Sequence, residues 1–108
     1  MKEYKLTGRI WLTLNNETVL GEGKICLLNH ITETGSLRKA AEAMQMSYRK
    51  AWFSISQMNK VAKEPIVKLT RGGKDGGKAE ITAYGNELLT SFQRQKQAFD
   101  EFLASQNQ

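Results

Sequence analysis

Apolar and polar residues alternate along the start of the chain, over residues 6–14. A period of two predicts a half-buried β-strand, because successive side chains of a strand point to opposite faces. Residues 15–16 then indicate a turn, and residues 18–20 can pair back as a short second arm. The chain is therefore expected to begin with a strand or a hairpin.

The spacing of apolar residues changes from two to that of a helix after residue 23. Ile25, Leu28 and Ile31 fall on one face of a first helix, which Gly35 is expected to end as a left-handed cap. Two short helices then follow across a tight turn at residues 45–46, a pattern typical of a helix-turn-helix over residues 36–60.

Each helix of this pair has a serine as its N-cap candidate, Ser36 for the first and Ser47 for the second. The apolar stripe of the first consists of Leu37, Ala40, Ala41 and Met44. The buried side of the second is expected to hold Tyr48, Ala51, Ile55, Met58 and Ala62. The opposite side of the second helix is basic and carries an exposed phenylalanine, Phe53.

The last third of the chain predicts a hairpin and a long helix. Residues 66–70 and 79–82 are extended around a basic, glycine-rich loop, which gives a wing over residues 66–82. Thr82 can cap a final helix over residues 83–105, with a coiled-coil seam of Leu88, Phe92, Gln95, Phe99 and Phe102. The seam predicts a homodimer; the alternative is that these residues fold back on the first strand and complete a monomer's core.

The order of these elements predicts an α+β fold, mainly α. It is a winged helix-turn-helix with an N-terminal strand or hairpin and a long C-terminal dimerisation helix, in a single domain over residues 1–108. A chain of 108 residues is too short for a second domain. A single Cys excludes an internal disulfide framework. No apolar run approaches the roughly 20 residues of a membrane span, so a cytoplasmic protein without a membrane partner is expected.

The positive charge is concentrated in the middle of the chain. Residues 36–82 hold ten Lys and Arg against four Asp and Glu, and the remainder holds six against seven. A basic block of this kind predicts a polyanionic partner, although a solvated lysine face gives the same count. Together with the helix-turn-helix, it indicates double-stranded DNA.

The expected DNA contacts divide by role. Arg49, Lys50 and Phe53 are placed for the major groove, and Ser36 and Ser47 can present backbone N–H groups to phosphate. The remaining candidates flank the groove, extend along the wing or, for Tyr48, lie at the edge of the buried side: Arg38, Lys39, Tyr48, Arg71, Lys74 and Lys78. Tyr48 and Trp52 are expected to pack against the wing, with base stacking as the alternative.

Enzymatic function is not expected. Gly72, Gly77 and Lys78 fit the spacing of a phosphate-binding loop, but Ala79 replaces its Ser or Thr, and a strand follows where a helix is needed. A single histidine, His30, excludes the usual nucleophilic triads unless distant residues converge. Cys26 and His30 are too few for a metal site in one chain. No cofactor and no metal are therefore predicted.

In its motifs the sequence resembles the N-terminal DNA-binding domain of ModE-type molybdate-responsive transcription regulators, which is related to the winged helix of LysR-type regulators. The motifs are GRIWL (8–12), GSL (35–37) with AA (40–41), SYRKAW (47–52), MN (58–59), the loop GGK to GG (72–77), and TAYG (82–85) followed by LL (88–89). The resemblance implies a regulator that binds DNA sequence-specifically and associates with the nucleoid when bound.

Molybdate sensing is not expected in this chain. In the family it resembles, oxyanion sensing lies in C-terminal small barrel domains, and this sequence ends at Gln108, after the long helix. No small-molecule ligand is therefore predicted. The alternatives to a regulator are a winged-helix protein-interaction adaptor and a non-specific DNA-binding protein.

Overall fold

A computed structural model describes residues 3–71 and 77–108 of the chain. In these residues helices and short strands are mixed, in agreement with an α+β class in which helix predominates. In chain order the elements are β1 Leu12–Leu14, β2 Glu17–Leu20, α1 Glu22–Thr34, α2 Leu37–Ala43, α3 Tyr48–Val61, β3 Val67–Thr70, β4 Lys78–Ile81 and α4 Ala83–Gln106. None of the helices in the described ranges is long and apolar enough to cross a membrane.

The N-terminal hairpin forms as predicted but is shorter than the alternation suggests. β1 pairs antiparallel with β2, and Asn15 and Asn16 connect them with φ of 52° and 67°. Two left-handed residues suit the tight turn of a hairpin. The prediction of a strand over residues 6–11 is wrong, because β2 is followed at once by α1 and offers no partner backbone to that segment.

Residues before β1 lie against α4 instead. The side chain of Asn107 accepts a hydrogen bond from Leu6 N at 2.9 Å and donates one to Leu6 O at 2.9 Å, as a neighbouring strand would. Gly8 is covered by the ring of Phe99, and a Cβ there would lie 2.9 Å from Phe99 Cζ. The segment before β1 thus packs against α4 and does not pair with a strand.

The local signals that end and begin the helices behave as predicted. Gly35 ends α1 with a φ of 67°, and its N–H donates to Ile31 O at 2.8 Å. The hydroxyls of Ser36, Ser47 and Thr82 accept from the backbone N–H three residues later and so cap α2, α3 and α4. These caps satisfy amides that have no partner within the helix.

One hydrophobic core joins every element except β1, which packs partly buried against it. Its largest fully buried side chains are Leu20, Leu27, Leu28, Ile31, Ile55, Met58 and Ile66. Ala40 and Ala41 are also buried, and their small side chains allow α2 to approach its neighbours closely. The core fixes α2 and α3 relative to each other across the turn at residues 44–47.

The predicted seam of α4 is divided between the chain's own packing and solvent. Phe92 is 3% exposed and belongs to the core, and Phe99 covers Gly8. Gln95 is exposed, and Phe102 is 50% exposed. Folding back, the alternative to a dimer seam, therefore accounts for Phe92 and Phe99, while Gln95 and Phe102 remain available on the surface.

Candidate nucleic-acid interface

The outer face of α3 carries the exposed residues that the helical spacing predicts. Arg49 and Lys50 are exposed at its first turn, and Phe53 is 65% exposed one turn later. On the opposite face Ala51, Ile55 and Met58 are buried. The core therefore holds α3 by one side and leaves a basic, partly aromatic side toward solvent.

The spacing predicted that Tyr48 would lie on the buried side of α3. This prediction is wrong, because Tyr48 is 54% exposed. It is the first residue of the helix, and Met46 before it is only half-buried, so the core does not extend to this end of α3. Ala51 is the first fully covered side chain. Trp52, one turn after Tyr48, is 47% exposed.

A cleft of about 950 Å³ separates α3 from the β3–β4 hairpin. We call it the α3–hairpin cleft. Six of the predicted DNA-contacting residues line it: Ser36, Arg38, Tyr48, Arg49, Arg71 and Lys78. Leu69 and Thr70 of β3 form the opposite wall from Trp52. The cleft therefore brings together cations, hydroxyl groups and aromatic rings from α2, α3 and the hairpin.

The other predicted contact residues lie outside this cleft. Lys39 is exposed on α2, and Lys50 and Phe53 are exposed on α3. Ser47 is exposed as the cap of α3, where its hydroxyl accepts from Lys50 N at 3.0 Å. Lys74 lies outside the described residues.

The hairpin is fixed to the helices at its base by contacts that the sequence analysis did not find. Asn59 of α3 accepts hydrogen bonds from Ile66 N at 2.7 Å and Val67 N at 3.1 Å, and it donates to Val67 O at 2.9 Å. The MN motif marked this residue but not its partners. Polar pairing between one side chain and the start of a strand depends on tertiary placement, which no local spacing encodes.

Two more hydrogen bonds complete this anchoring. Ala79 N donates to Gly35 O at 2.9 Å, which joins β4 to the end of α1. The Thr82 hydroxyl donates to Pro65 O at 2.7 Å while it caps α4. Gly85 is buried beside this junction, and a Cβ there would collide with Ile66 O. The base of the hairpin is thus held from three helices.

Arg38 and Arg49 of the cleft take part in none of the ion pairs of the described residues. Within residues 3–71 and 77–108, the ion pairs are His30–Glu33 at 3.8 Å, Lys96–Glu22 at 3.9 Å and Lys96–Asp100 at 2.6 Å. All belong to α1 and α4. In the same ranges no carboxylate lies within 4.0 Å of the charged groups of Arg38 or Arg49. Within the described part of the chain, the charges of Arg38 and Arg49 are therefore not matched by an ion pair.

Of the residues weighed for other chemistry, Gly77 and Lys78 line the α3–hairpin cleft, whereas Cys26 and His30 do not. Lys78, the last residue of the apparent phosphate-binding loop, begins strand β4, so the helix that such a loop requires does not follow it. Cys26 is exposed on α1, and His30 faces Glu33 of its own helix. In the part of the chain that the structure describes, no three metal-binding side chains come together.

No protein-family model matches the chain. It is 34% identical over 92 residues to the molybdenum transport protein ModE of Azotobacter vinelandii, a match that covers 85% of this chain and 34% of that protein. It is 36% identical over 93 residues to the DNA-binding transcriptional dual regulator ModE of Escherichia coli (strain K12), covering 82% and 36%. It is also 36% identical over 73 residues to the molybdenum-pterin-binding protein MopB of Rhodobacter capsulatus, covering 68% and 27%.

These matches confirm the resemblance that the sequence motifs indicated. They extend over most of this chain, at an identity above 30%, and several separate relatives share the same name. The chain spans about a third of the length of the ModE proteins it matches. Over that shared segment, the chain is a homologue of proteins named as ModE transcriptional regulators.

Proposed function

We propose that this chain is a sequence-specific, double-stranded-DNA-binding transcription regulator. The observation that carries the proposal is the α3–hairpin cleft, whose Arg38 and Arg49 have no acidic neighbour in the described chain. The relative from Escherichia coli, named as a DNA-binding transcriptional regulator, supports it. The role is binding and not catalysis, exerted in the cytoplasm and at the nucleoid when bound.

In this proposal α2, the turn and α3 form the helix-turn-helix over residues 36–60, and the β3–β4 hairpin is the wing over residues 66–82. Arg49 reads a guanine edge in the major groove, and exposed Phe53 contacts a thymine methyl. Lys50, exposed beside Arg49, enters the same groove, and Lys39, exposed on α2, contacts a flanking phosphate. Arg71 and Lys78 contact phosphates from the wing side of the cleft.

Selection of bound duplexes from genomic fragments tests the proposal, with fluorescence anisotropy to measure affinity. We expect an enriched sequence that binds about 10³-fold or more tightly than random DNA, with an affinity that falls steeply as salt is added. Tight binding without any sequence preference would favour non-specific DNA binding. Absence of DNA binding would favour the third alternative, a winged helix that docks an acidic protein.

We also propose that α4 contributes to a homodimer. The support is the half-exposed Phe102 at the end of α4, with Leu6 49% exposed on the segment that Asn107 holds beside it. Gln95 lies exposed on the same helix. A two-fold dimer would place two α3 helices toward successive major grooves, so the operator would be a near-palindrome with half-sites ~10 base pairs apart or a multiple of it.

Sedimentation equilibrium at micromolar concentration tests the dimer. Phe102→Glu is the cleaner disruption, since Phe99→Glu would also remove the ring that covers Gly8 within one chain. We expect a dimer for the unmodified chain and a monomer for Phe102→Glu. A monomer in both cases, with Phe99→Glu leaving operator affinity unchanged, would remove the dimer and the palindrome together.

A second candidate function is binding of a molybdenum compound, which the name of the Rhodobacter capsulatus relative favours. Our own expectation is that molybdate and tungstate leave DNA binding by this chain unchanged. Titration calorimetry with sodium molybdate separates the two. A stoichiometric, micromolar site would establish the second function, and no heat beyond dilution would leave DNA binding as the proposed role.

A further inference from the structure

The α3 wall of the cleft carries two aromatic side chains whose polar groups form no hydrogen bond among the described residues. Tyr48 and Trp52 lie one helical turn apart, 54% and 47% exposed. In residues 3–71 and 77–108, no hydrogen bond involves the Tyr48 hydroxyl or the Trp52 indole N–H. Tyr and Trp combine a wide apolar surface with one donor, and for this reason they are enriched at binding surfaces.

The opposite wall repeats this mixture of apolar surface and donors. Leu69 of β3 is 39% exposed, and Thr70 and Lys78, which pair with each other across the hairpin, also line the cleft. Arg38 adds a cation from α2. Both walls therefore alternate between surfaces suited to C–H groups and donors suited to anionic oxygen.

Of the parts of a DNA duplex, the sugar-phosphate strand has this alternating chemistry. Phosphates accept hydrogen bonds from N–H and O–H groups, and deoxyribose rings present C–H surfaces between them. The strand already lies on the outside of the duplex. A base could stack on Trp52 only after leaving the duplex, which costs a few kcal/mol. The cleft chemistry therefore favours the backbone.

We propose that one DNA strand passes through the α3–hairpin cleft with its backbone against Tyr48 and Trp52, whose hydroxyl and indole N–H donate to phosphate oxygens. This inference rests on the proposed function and adds a role for Trp52, for which the sequence predicted packing against the wing, with base stacking as the alternative. It makes the aromatic pair neutral contacts to the backbone, distinct from Arg49, which reads a base, and from Lys78, which neutralises a phosphate.

The three kinds of contact leave different signatures. A neutral donor releases no counterion, so Tyr48→Phe and Trp52→Phe should each weaken binding about five- to tenfold while the salt slope stays the same. Because phosphates carry no sequence information, the loss should be equal for a selected duplex and for a random one. Lys78→Ala should instead reduce the slope of log affinity against log salt concentration by ~0.9, the value for one phosphate contact.

The chain supplies a matched control for each substitution. Tyr4 and Trp11 are 71% and 57% exposed and do not line the cleft. Tyr4→Phe and Trp11→Phe therefore make the same chemical changes elsewhere, and we expect neither to alter DNA affinity. Thermal unfolding of all four variants checks the fold, since a residue that only packs the wing would lower the melting temperature as well.

Tryptophan emission gives a second measurement on the intact chain. Trp11 and Trp52 are the two tryptophans, so Trp11→Phe leaves only Trp52 emitting. We expect random duplex DNA to change the emission of Trp11→Phe and not that of Trp52→Phe.

Anisotropy of labelled DNA is recorded in parallel with this emission. If DNA binds but Trp52 emission and the affinities of Tyr48→Phe and Trp52→Phe stay unchanged, the backbone track is wrong and the proposed function stands. A loss confined to the selected sequence would make the aromatic pair base contacts and also overturn it. If the unmodified chain binds no DNA, both proposals fail.

Discussion

The α3–hairpin cleft and the packed side of α1 and α4 differ in whether the named cations form ion pairs. On α4, Lys96 lies 2.6 Å from Asp100 and 3.9 Å from Glu22 of α1. Around the cleft, Arg38 and Arg49 have no carboxylate within 4.0 Å in the described ranges. Lys96 thus has two acidic partners within the chain, whereas Arg38 and Arg49 have none among the described residues.

Aromatic side chains show the same division. Phe92 is 3% exposed between α4 and the core, whereas Phe53 on α3 is 65% exposed. Burial of a phenylalanine stabilises a fold, while an exposed one beside unpaired cations contributes little to folding. We therefore expect stability and the proposed DNA binding to depend on different residues, which substitutions can separate.

The largest expected effect is on stability and comes from Phe92→Ala. Removal of a buried ring leaves a cavity, and we expect a loss of about 3–5 kcal/mol in the free energy of unfolding. Phe53→Ala is the matched change on the exposed face of α3 and should cost less than about 0.5 kcal/mol. Urea unfolding monitored by circular dichroism measures both. Equal losses would contradict the division between the two regions.

Asn59→Ala should destabilise the chain by about 1–3 kcal/mol, because it leaves the N–H groups of Ile66 and Val67 without their acceptor. DNA affinity should fall too, since Asn59 fixes the start of the hairpin. Asn86→Ala, at an exposed position of α4, is the control and should leave both quantities nearly unchanged. Urea unfolding and DNA anisotropy are the measurements. A fully stable Asn59→Ala would show that the hairpin is held by its other contacts.

Arg49→Ala should cost about 1–3 kcal/mol of operator affinity and relax specificity at one base position, with no loss of stability. Lys78→Ala should weaken all duplexes alike. Arg94→Ala removes an exposed cation from α4 and should change neither value. Anisotropy on a panel of single-base operator variants gives the result. Equal weakening of random and selected DNA by Arg49→Ala would reassign Arg49 to a phosphate.

The smallest effect is expected for Lys96→Ala. Ion pairs on a helix surface contribute about 0.3–0.5 kcal/mol, and salt screens them. Urea unfolding at low and high salt should therefore show a small loss that nearly disappears as salt is raised. A loss well above 1 kcal/mol that persisted in high salt would mean that the stem of Lys96 supports the α1–α4 packing, beyond its charge.

Much of the fold was readable from sequence because its signals are local. Gly35, Ser36, Ser47 and Thr82 act within one turn of their own positions, and each ends or begins a helix as predicted. For the same reason Leu37, Ala40 and Ala41 of the predicted α2 stripe are buried, while Met44, at the C-cap, is partly buried. Helical spacing also identified the exposed basic side of α3.

The misplaced residues depend on distant partners. Tyr48 fits the buried periodicity of α3, but nothing in the spacing shows that the core stops short of the helix start. The alternation of residues 6–14 fits a strand, but pairing needs a neighbour, and β2 has only four residues. The cleft residues were predicted singly, and their convergence depends on Asn59, which places the hairpin beside α3.

The pair of hydrogen bonds between Leu6 and Asn107 joins positions 101 residues apart in sequence. Leu6 and the end of α4 therefore lie side by side. α4 is roughly 36 Å long from its 24 residues and runs away from the hairpin base. A fluorescent label, an affinity tag or a fused domain attached near Leu6 should therefore lie close to one attached near Asn107. A short linker between these two positions should permit a circular permutant.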